Sequence, residues 1–393
     1  MYDRLISCWT LALVFLFSAA CSDNTEVQEA TTETQETVAE AQEVIAEVQP
    51  VAATPEELHE RILTLDTHDD IPFNFATPEV DPGVEGDMQM DIPKMKRGKL
   101  DVGTFIVYVG QKARTPANYE KAKADAMIKF NAIHRMAAMY PDDIEVALTA
   151  ADVRRIHDSG KLVAAIAIEN GFVIGKDLSL LKKYKDLGAH YMTLAHNGHN
   201  DISDSCNPRE RFGDGATEHN GISEFGEAVI AEMNRVGIMV DVSHISMEAA
   251  MEAARLSKAP IVASHSSVKG LHNVSRNMSD EAMLALKETG GVINIVTLDS
   301  FLKGGDNVTV SDLVDHIDYA VALLGIDYVG ISSDFDGGGG VQGWNDASET
   351  PNVTSELVKR GYSEAEIAKL WSGNYLRAWT EAEHIATRMQ AED

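Results

Sequence analysis

The chain has 393 residues, 44% hydrophobic and 24% charged, an ordinary globular balance with enough apolar material for a large core. Acidic residues outnumber basic ones by 62 to 33, and the resulting formal charge of -29 argues against any role in clamping nucleic-acid phosphates or anionic lipid headgroups. One large catalytic domain or two small ones fit this length.

The first segment, MYDRLISCWT, is a short polar start containing Arg4; LALVFLFSAA is apolar, and SAAC places small residues before Cys21. Residues 1–20 therefore read as an export signal, too short to be a good membrane-spanning helix. The pattern resembles a bacterial lipoprotein signal, although Ser18 stands where leucine is most often found. That resemblance implies a lipid on Cys21 and a place in the cell envelope, facing the periplasm, with membrane contact only through that lipid. A soluble secreted protein cut near Ala20 is the alternative. With Cys8 removed and Cys21 lipidated, Cys206 is the one cysteine left in the body, so no internal disulfide is expected.

Residues 21–55 hold the units EVQEATT, ETQETVA, EAQEVIA and EVQPVAA, repeating every seven residues from Glu26, with no Lys or Arg before Arg61. Their seam positions, such as Val27, Ala30 and Thr34, are small and weakly apolar, so an acidic solvated spacer is expected rather than a coiled coil. Pro50 and Pro55 end it.

From residue 56 to 393 short β-branched runs alternate with amphipathic stretches, the signature of a parallel sheet with crossover helices. The runs are ILTLDTH, VGTFIVYV, LVAAIAIE, YMTLAH, IMVDVSH, IVASHS, GVINIVT and YVGISSD. Helix candidates such as SEFGEAVIAEMNRVG and SMEAAMEAARLS open on Ser caps. Eight such units predict an α/β fold of the (β/α)8 TIM-barrel type. A doubly wound sheet is the alternative, but no Gly-rich dinucleotide fingerprint or phosphate loop supports it.

A barrel of this kind carries its chemistry where strands end, on the C-terminal rim. The first run ends at His68 and Asp70, the third at Glu169, the fourth at His196, the fifth at His244, the sixth at His265 and the eighth at Asp334. One histidine of this kind is usually a satisfied core residue; histidines and carboxylates on so many converging strand ends predict a metal site. Imidazole and carboxylate donors without thiolate suit zinc, with manganese or cobalt as substitutes. Two ions fit better than one: His68 with Asp70, His244 with His265, and Glu169 left to bridge. Paired ions about 3.5 to 4 Å apart hold a hydroxide and polarise a carbonyl together, which is hydrolytic chemistry.

The chain resembles the membrane dipeptidase (renal dipeptidase) family of zinc peptidases. The ordered pieces LDTHDDIP, MDIPKMKRGKLDVGTFIVYV, AIENG, YMTLAHN, GIMVDVSHIS, PIVASHSSVKGLHNVSRNMSDE, VGISSDFDG and SGNYLRAW carry the likeness, from about Pro55 to the C-terminal helix. The resemblance implies a binuclear zinc dipeptidase, with two Zn2+ per chain, working as a homodimer on dipeptides. By it, His68 and Asp70 bind one zinc, His244 and His265 the other, and Glu169 bridges. His196 would hydrogen-bond the scissile carbonyl oxygen or its oxyanion, and Arg276 would bind the substrate carboxylate. Asp334 would move the proton from the bridging water to the leaving amine; Asp336, which follows it in SSDFDG at the two-residue spacing of His68 and Asp70, is a competing assignment.

The likeness is incomplete at the periphery, because animal members carry disulfides this chain cannot form and a C-terminal anchor rather than an N-terminal lipid. In the loop NGHNDISDSCNPRERFGDG, where selectivity should be set, His199 and Cys206 read as loop residues rather than extra ligands. The nearest rival is another metal-dependent amide or lactone hydrolase on the same site. A more distant one is a lipoprotein that binds peptide without turnover.

Overall fold

The computed structural model describes residues 53–392. The expected signal peptide, the lipidated Cys21 and nearly all of the spacer lie outside the described residues.

The strands are β1 (Leu65–Asp70), β2 (Val102–Tyr108), β3 (Ile144–Val146), β4 (Leu162–Glu169), β5 (Ala189–Thr193), β6 (Met239–Asp241), β7 (Val262–Ser266), β8 (Val292–Val296) and β9 (Val329–Ser332). Eight of them pair in parallel in the order β1-β2-β4-β5-β6-β7-β8-β9, and each overlaps one of the eight apolar runs, with β1 ending two residues beyond ILTLDTH and β5 starting two residues before YMTLAH. The ninth, β3, pairs only with the start of β4, Ile144 opposite Leu162. Its sequence, IEV, is too short and too weakly buried to show a strand signal.

Helices between the strands cover one face of the sheet while the other face fills the barrel, so strands such as β4 (LVAAIAIE) are buried at every position. That double burial explains why the runs are continuously apolar rather than alternating. Ser223, Ser246 and Ser279 accept the N–H of Gly226, Ala249 and Ala282 and thereby open three of the covering helices.

The first and last barrel strands meet through residues of the rim. The Asp70 N–H donates to the Phe335 carbonyl at 2.9 Å, and the Asp334 N–H donates to the His68 carbonyl at 3.1 Å. Closure of the barrel thus aligns β1 with the loop after β9 at the functional end. At the other end Tyr375 and Trp379, from the helix Asn374–Glu392, pack among Leu65, Val102, Val262 and Val292. Those four open their strands, so this helix covers the N-terminal mouth and leaves the C-terminal mouth for chemistry.

Candidate active site

Every rim residue expected from the sequence reaches one buried cluster. Glu169, the last residue of β4, is its centre: its Oε1 lies 3.0 Å from His244 Nε2, 3.3 Å from His265 Nε2, 3.8 Å from His68 Nε2 and 3.8 Å from His196 Nε2. His68 Nε2 also lies 4.0 Å from Asp70 Oδ2 and 3.9 Å from Asp334 Oδ1. His244 and His265 bring their Nε2 atoms to 2.9 Å of each other. The donors therefore form overlapping groups: His68, Glu169 and His265; Glu169, His196 and His244; His68, Asp70 and Asp334. Glu169 and His68 are each shared by two of them, so the three groups overlap in one site.

Outer hydrogen bonds aim these donors. The Tyr191 hydroxyl donates to the Thr67 carbonyl at 2.9 Å, so its oxygen accepts from His68 Nδ1 at 2.8 Å and the Nε2 lone pair faces the cluster. Ser264 does the same for His265: it donates to Asp241 Oδ2 at 2.7 Å and faces His265 Nδ1 at 2.8 Å. His244 (φ 67°) and Asp334 (φ 59°) sit in the left-handed backbone region, which costs a non-glycine residue about 1 kcal/mol or more. Both are held there by the main chain, with Cys206 N–H on the His244 carbonyl at 2.8 Å and Gly339 N–H on the Asp334 carbonyl at 2.8 Å.

Electrostatics favour cations in this space. Burial, with the nearby Arg276 and His196 charges, brings His68 down to about 4 against the opposing pull of Glu169, and it holds His244 and His265 well below the ordinary imidazole value. Neutral imidazoles are the ligand form. Burial and the Glu169 charge push Asp70 up to about 8, and burial with Asp70 and Glu169 pushes Asp334 well above the carboxylate range. Burial also opposes ionisation of Glu169, but the surrounding histidines outweigh it and hold Glu169 below its ordinary value.

The residues fit divalent metal on three further counts. Asp70 Oδ1, of a carboxylate in the cluster, is buried without a hydrogen-bond partner. The donor set is nitrogen and oxygen only. Finally, Gly337 leaves a cradle beside two carboxylates, since a Cβ there would stand 2.4 Å from Asp70 Oδ2 and 2.5 Å from Asp334 Oδ1.

Above the cluster is a cavity of about 340 Å³ lined by the site acids, by His196, His244 and His265, and by Tyr108, Asn197, Asn207, Arg276, Leu298, Phe301 and Gly337. Arg276 is 5% exposed, donates to the His265 carbonyl at 3.1 Å, lies over the Phe301 ring, and leaves its Nε without a partner.

Asp334 and Asp336 separate clearly here. Asp334 belongs to the cluster, whereas the Asp336 carboxylate accepts the Gln89 N–H at 3.0 Å and the Met90 N–H at 3.1 Å. His199 is likewise a loop residue, facing the Ser205 N–H at 2.9 Å and the Gly215 carbonyl at 3.1 Å. Cys206 is a free thiol outside the donor groups. Sequence reasoning passed over Tyr108, although it ends β2 and the rim rule would have found it. Leu298, Phe301 and the glycine at 337 carry no comparable signal.

The sequence profile of the membrane dipeptidase family, peptidase family M19, matches residues 52–393. The chain belongs to this family. A dipeptidase of Aspergillus oryzae, aclJ, is 35% identical over 307 residues, covering 76% of this chain and 71% of that protein. The crystal structure of the probable dipeptidase PvdM from Pseudomonas aeruginosa superposes with a TM-score of 0.81 at 34% identity, over 84% of this chain and 98% of that one. A Rhodobacter sphaeroides metallopeptidase, solved with a phosphinate mimic of the dipeptide L-Ala-D-Ala, gives a TM-score of 0.73 at 25% identity, over 82% and 99% of the two chains. Membership in the membrane dipeptidase family and the cluster around Glu169 together make this chain a metal-dependent hydrolase.

Proposed function

We propose that the protein is a binuclear zinc dipeptidase. The observation that carries this reading is the convergence of four imidazole Nε2 atoms on Glu169 Oε1, within 3.0 to 3.8 Å, beside a buried arginine that lines the same cavity. His68 with Asp70 would hold one ion, His244 with His265 the other, and Glu169 would bridge. Two divalent ions so held supply an activated water and Lewis-acid polarisation of the scissile carbonyl.

The protein's own groups do the rest. The Arg276 guanidinium receives the substrate carboxylate and fixes the dipeptide's length, because a longer chain would have to extend past it into a cavity of about 340 Å³. His196, at the same rim, donates from Nε2 to the oxygen of the attacked carbonyl as negative charge develops there. Asp334, whose burial raises its proton affinity, takes the proton of the attacking water and delivers it to the leaving amine. The exported, Cys21-lipidated location and the homodimer belong to this reading on sequence resemblance, and the spacer up to residue 55 on its acidic seven-residue repeat. Among the described residues no helix is long and apolar enough to cross a membrane.

Metal analysis and hydrolysis of L-L dipeptides, L-D dipeptides and a tripeptide by the zinc-loaded protein test the proposal. Two zinc ions per chain and cleavage of dipeptides alone are expected. Bound zinc with no peptide cleavage, but turnover of an N-acyl amino acid or a lactone, would replace the dipeptidase reading by the neighbouring hydrolase one. Absence of both zinc and turnover would leave a peptide-binding lipoprotein.

A further inference from the structure

The helix Pro116–Met139 buries Ala122, Ala126, Phe130, Ile133 and Met136, and on that same apolar face it carries Lys129, only 3% exposed. An ammonium withdrawn from water ordinarily finds a carboxylate. Lys129 instead lies 5.2 Å from the Phe73 ring centroid and 5.5 Å from that of Tyr108, with no hydrogen bond or ion pair among the described residues. Both distances fall within cation–π range; burial lowers the proton affinity of Lys129, and the charges of Asp70 and Glu169 oppose that shift.

Tyr108 in turn ends β2 at the cavity wall, where its ring centroid lies 4.8 Å from that of His196 and its hydroxyl 3.5 Å from His196 Nδ1. This is a long contact, of the kind that tightens when substrate fills a site. Burial and the Glu169 and Asp70 charges hold the phenol proton up to about 12, so the hydroxyl is a donor at neutral pH. A neutral imidazole that accepts at Nδ1 must carry its hydrogen on Nε2, the atom on the Glu169 side of the ring.

We propose that Tyr108 is a positioning residue for His196, donating to Nδ1 and so fixing the tautomer whose Nε2–H faces the reacting carbonyl, and that Lys129 keeps Tyr108 in place by lying against its ring. The proposal rests on the reading of His196 as the oxyanion donor. Tyr108 and Lys129 act through His196.

The test uses the metal-loaded enzyme, an L-L dipeptide and a phosphinate dipeptide mimic as tetrahedral probe. Tyr108→Phe is expected to lower kcat about tenfold, with KM unchanged and phosphinate affinity reduced by the same factor, while zinc content stays the same. Lys129→Met should give the same split to a smaller degree, and Lys129→Arg, which keeps a cation over both rings, should restore it. In a His196→Ala background Tyr108→Phe should add no further loss. Full additivity in that background, or a Tyr108→Phe enzyme with wild-type kcat beside a crippled His196→Ala, would overturn the Tyr108 assignment while leaving the dipeptidase reading intact. Zinc loss in Lys129→Met would overturn the Lys129 assignment. If His196→Ala itself turned over normally, the reading of His196 would fall and the proposal with it.

Discussion

Asp70 and Gly337 meet so closely that no side chain fits between them: a Cβ on residue 337 would lie 2.4 Å from Asp70 Oδ2. The same carbon would lie 2.5 Å from Asp334 Oδ1, so position 337 is packed against both carboxylates on one side of the cluster. Gly337→Ala should therefore push the two acids apart and cost metal affinity about 10- to 100-fold, while the circular dichroism of the fold is retained. Normal zinc retention under competition from a chelator would show that the loop relaxes around the methyl group.

Asp334→Asn removes the proton carrier but keeps the side-chain volume. Turnover should fall by about 10² to 10⁴, with zinc nearly intact. Asp336→Asn should do the reverse, weakening the two main-chain hydrogen bonds that tie down Gln89 and Met90, at a cost of about 1 kcal/mol in stability, with kcat preserved. Loss of metal in Asp334→Asn, measured by elemental analysis, would make Asp334 a ligand instead.

For Arg276→Ala the expected effect is on substrate capture. KM for dipeptides should rise about 10- to 100-fold, the scale of a charge-assisted hydrogen bond to a carboxylate. Steady-state kinetics with a dipeptide and its C-terminal amide would settle the matter, since the amide should lose the dependence on Arg276. Equal effects on both substrates would remove Arg276 from the carboxylate site.

Metal-free protein should lose stability as pH rises from about 6.5 to about 8. Asp70 is held up to about 8 against an ordinary value of 3.8, so in this window the folded state binds more protons than the unfolded one and stability falls with increasing pH. The raised Asp334 acts in the same direction. His68, brought down to about 4 from 6.5, makes stability rise with pH only below that window. Metal loading should abolish the fall, because the carboxylates then stay ionised in the fold. Chemical denaturation at pH 6.5 and pH 8, with and without zinc, checks this; a flat apo profile would contradict the crowding of the acids.

The covalent order of the chain determined a great deal. Continuous apolar runs ending on His68, Glu169, His244, His265 and Asp334 specify parallel strands buried on both faces, because only such strands need so little polar surface. Given a barrel, these endings must converge, since closure carries every strand's C-terminal end to one rim. What the sequence left open was anything set by side-chain direction or by loops. Asp334 and Asp336 stand two residues apart, like His68 and Asp70, and share the same left-handed backbone, yet tertiary contacts turn one into the cluster and the other toward Gln89 and Met90. Lys129 reads as an ordinary helix lysine until the fold buries it between Phe73 and Tyr108. The space at Gly337 is a property of three backbone segments meeting, which no local pattern encodes. Periodicity and strand endings are local and survive in a linear string; contacts between distant loops exist only once the barrel has closed.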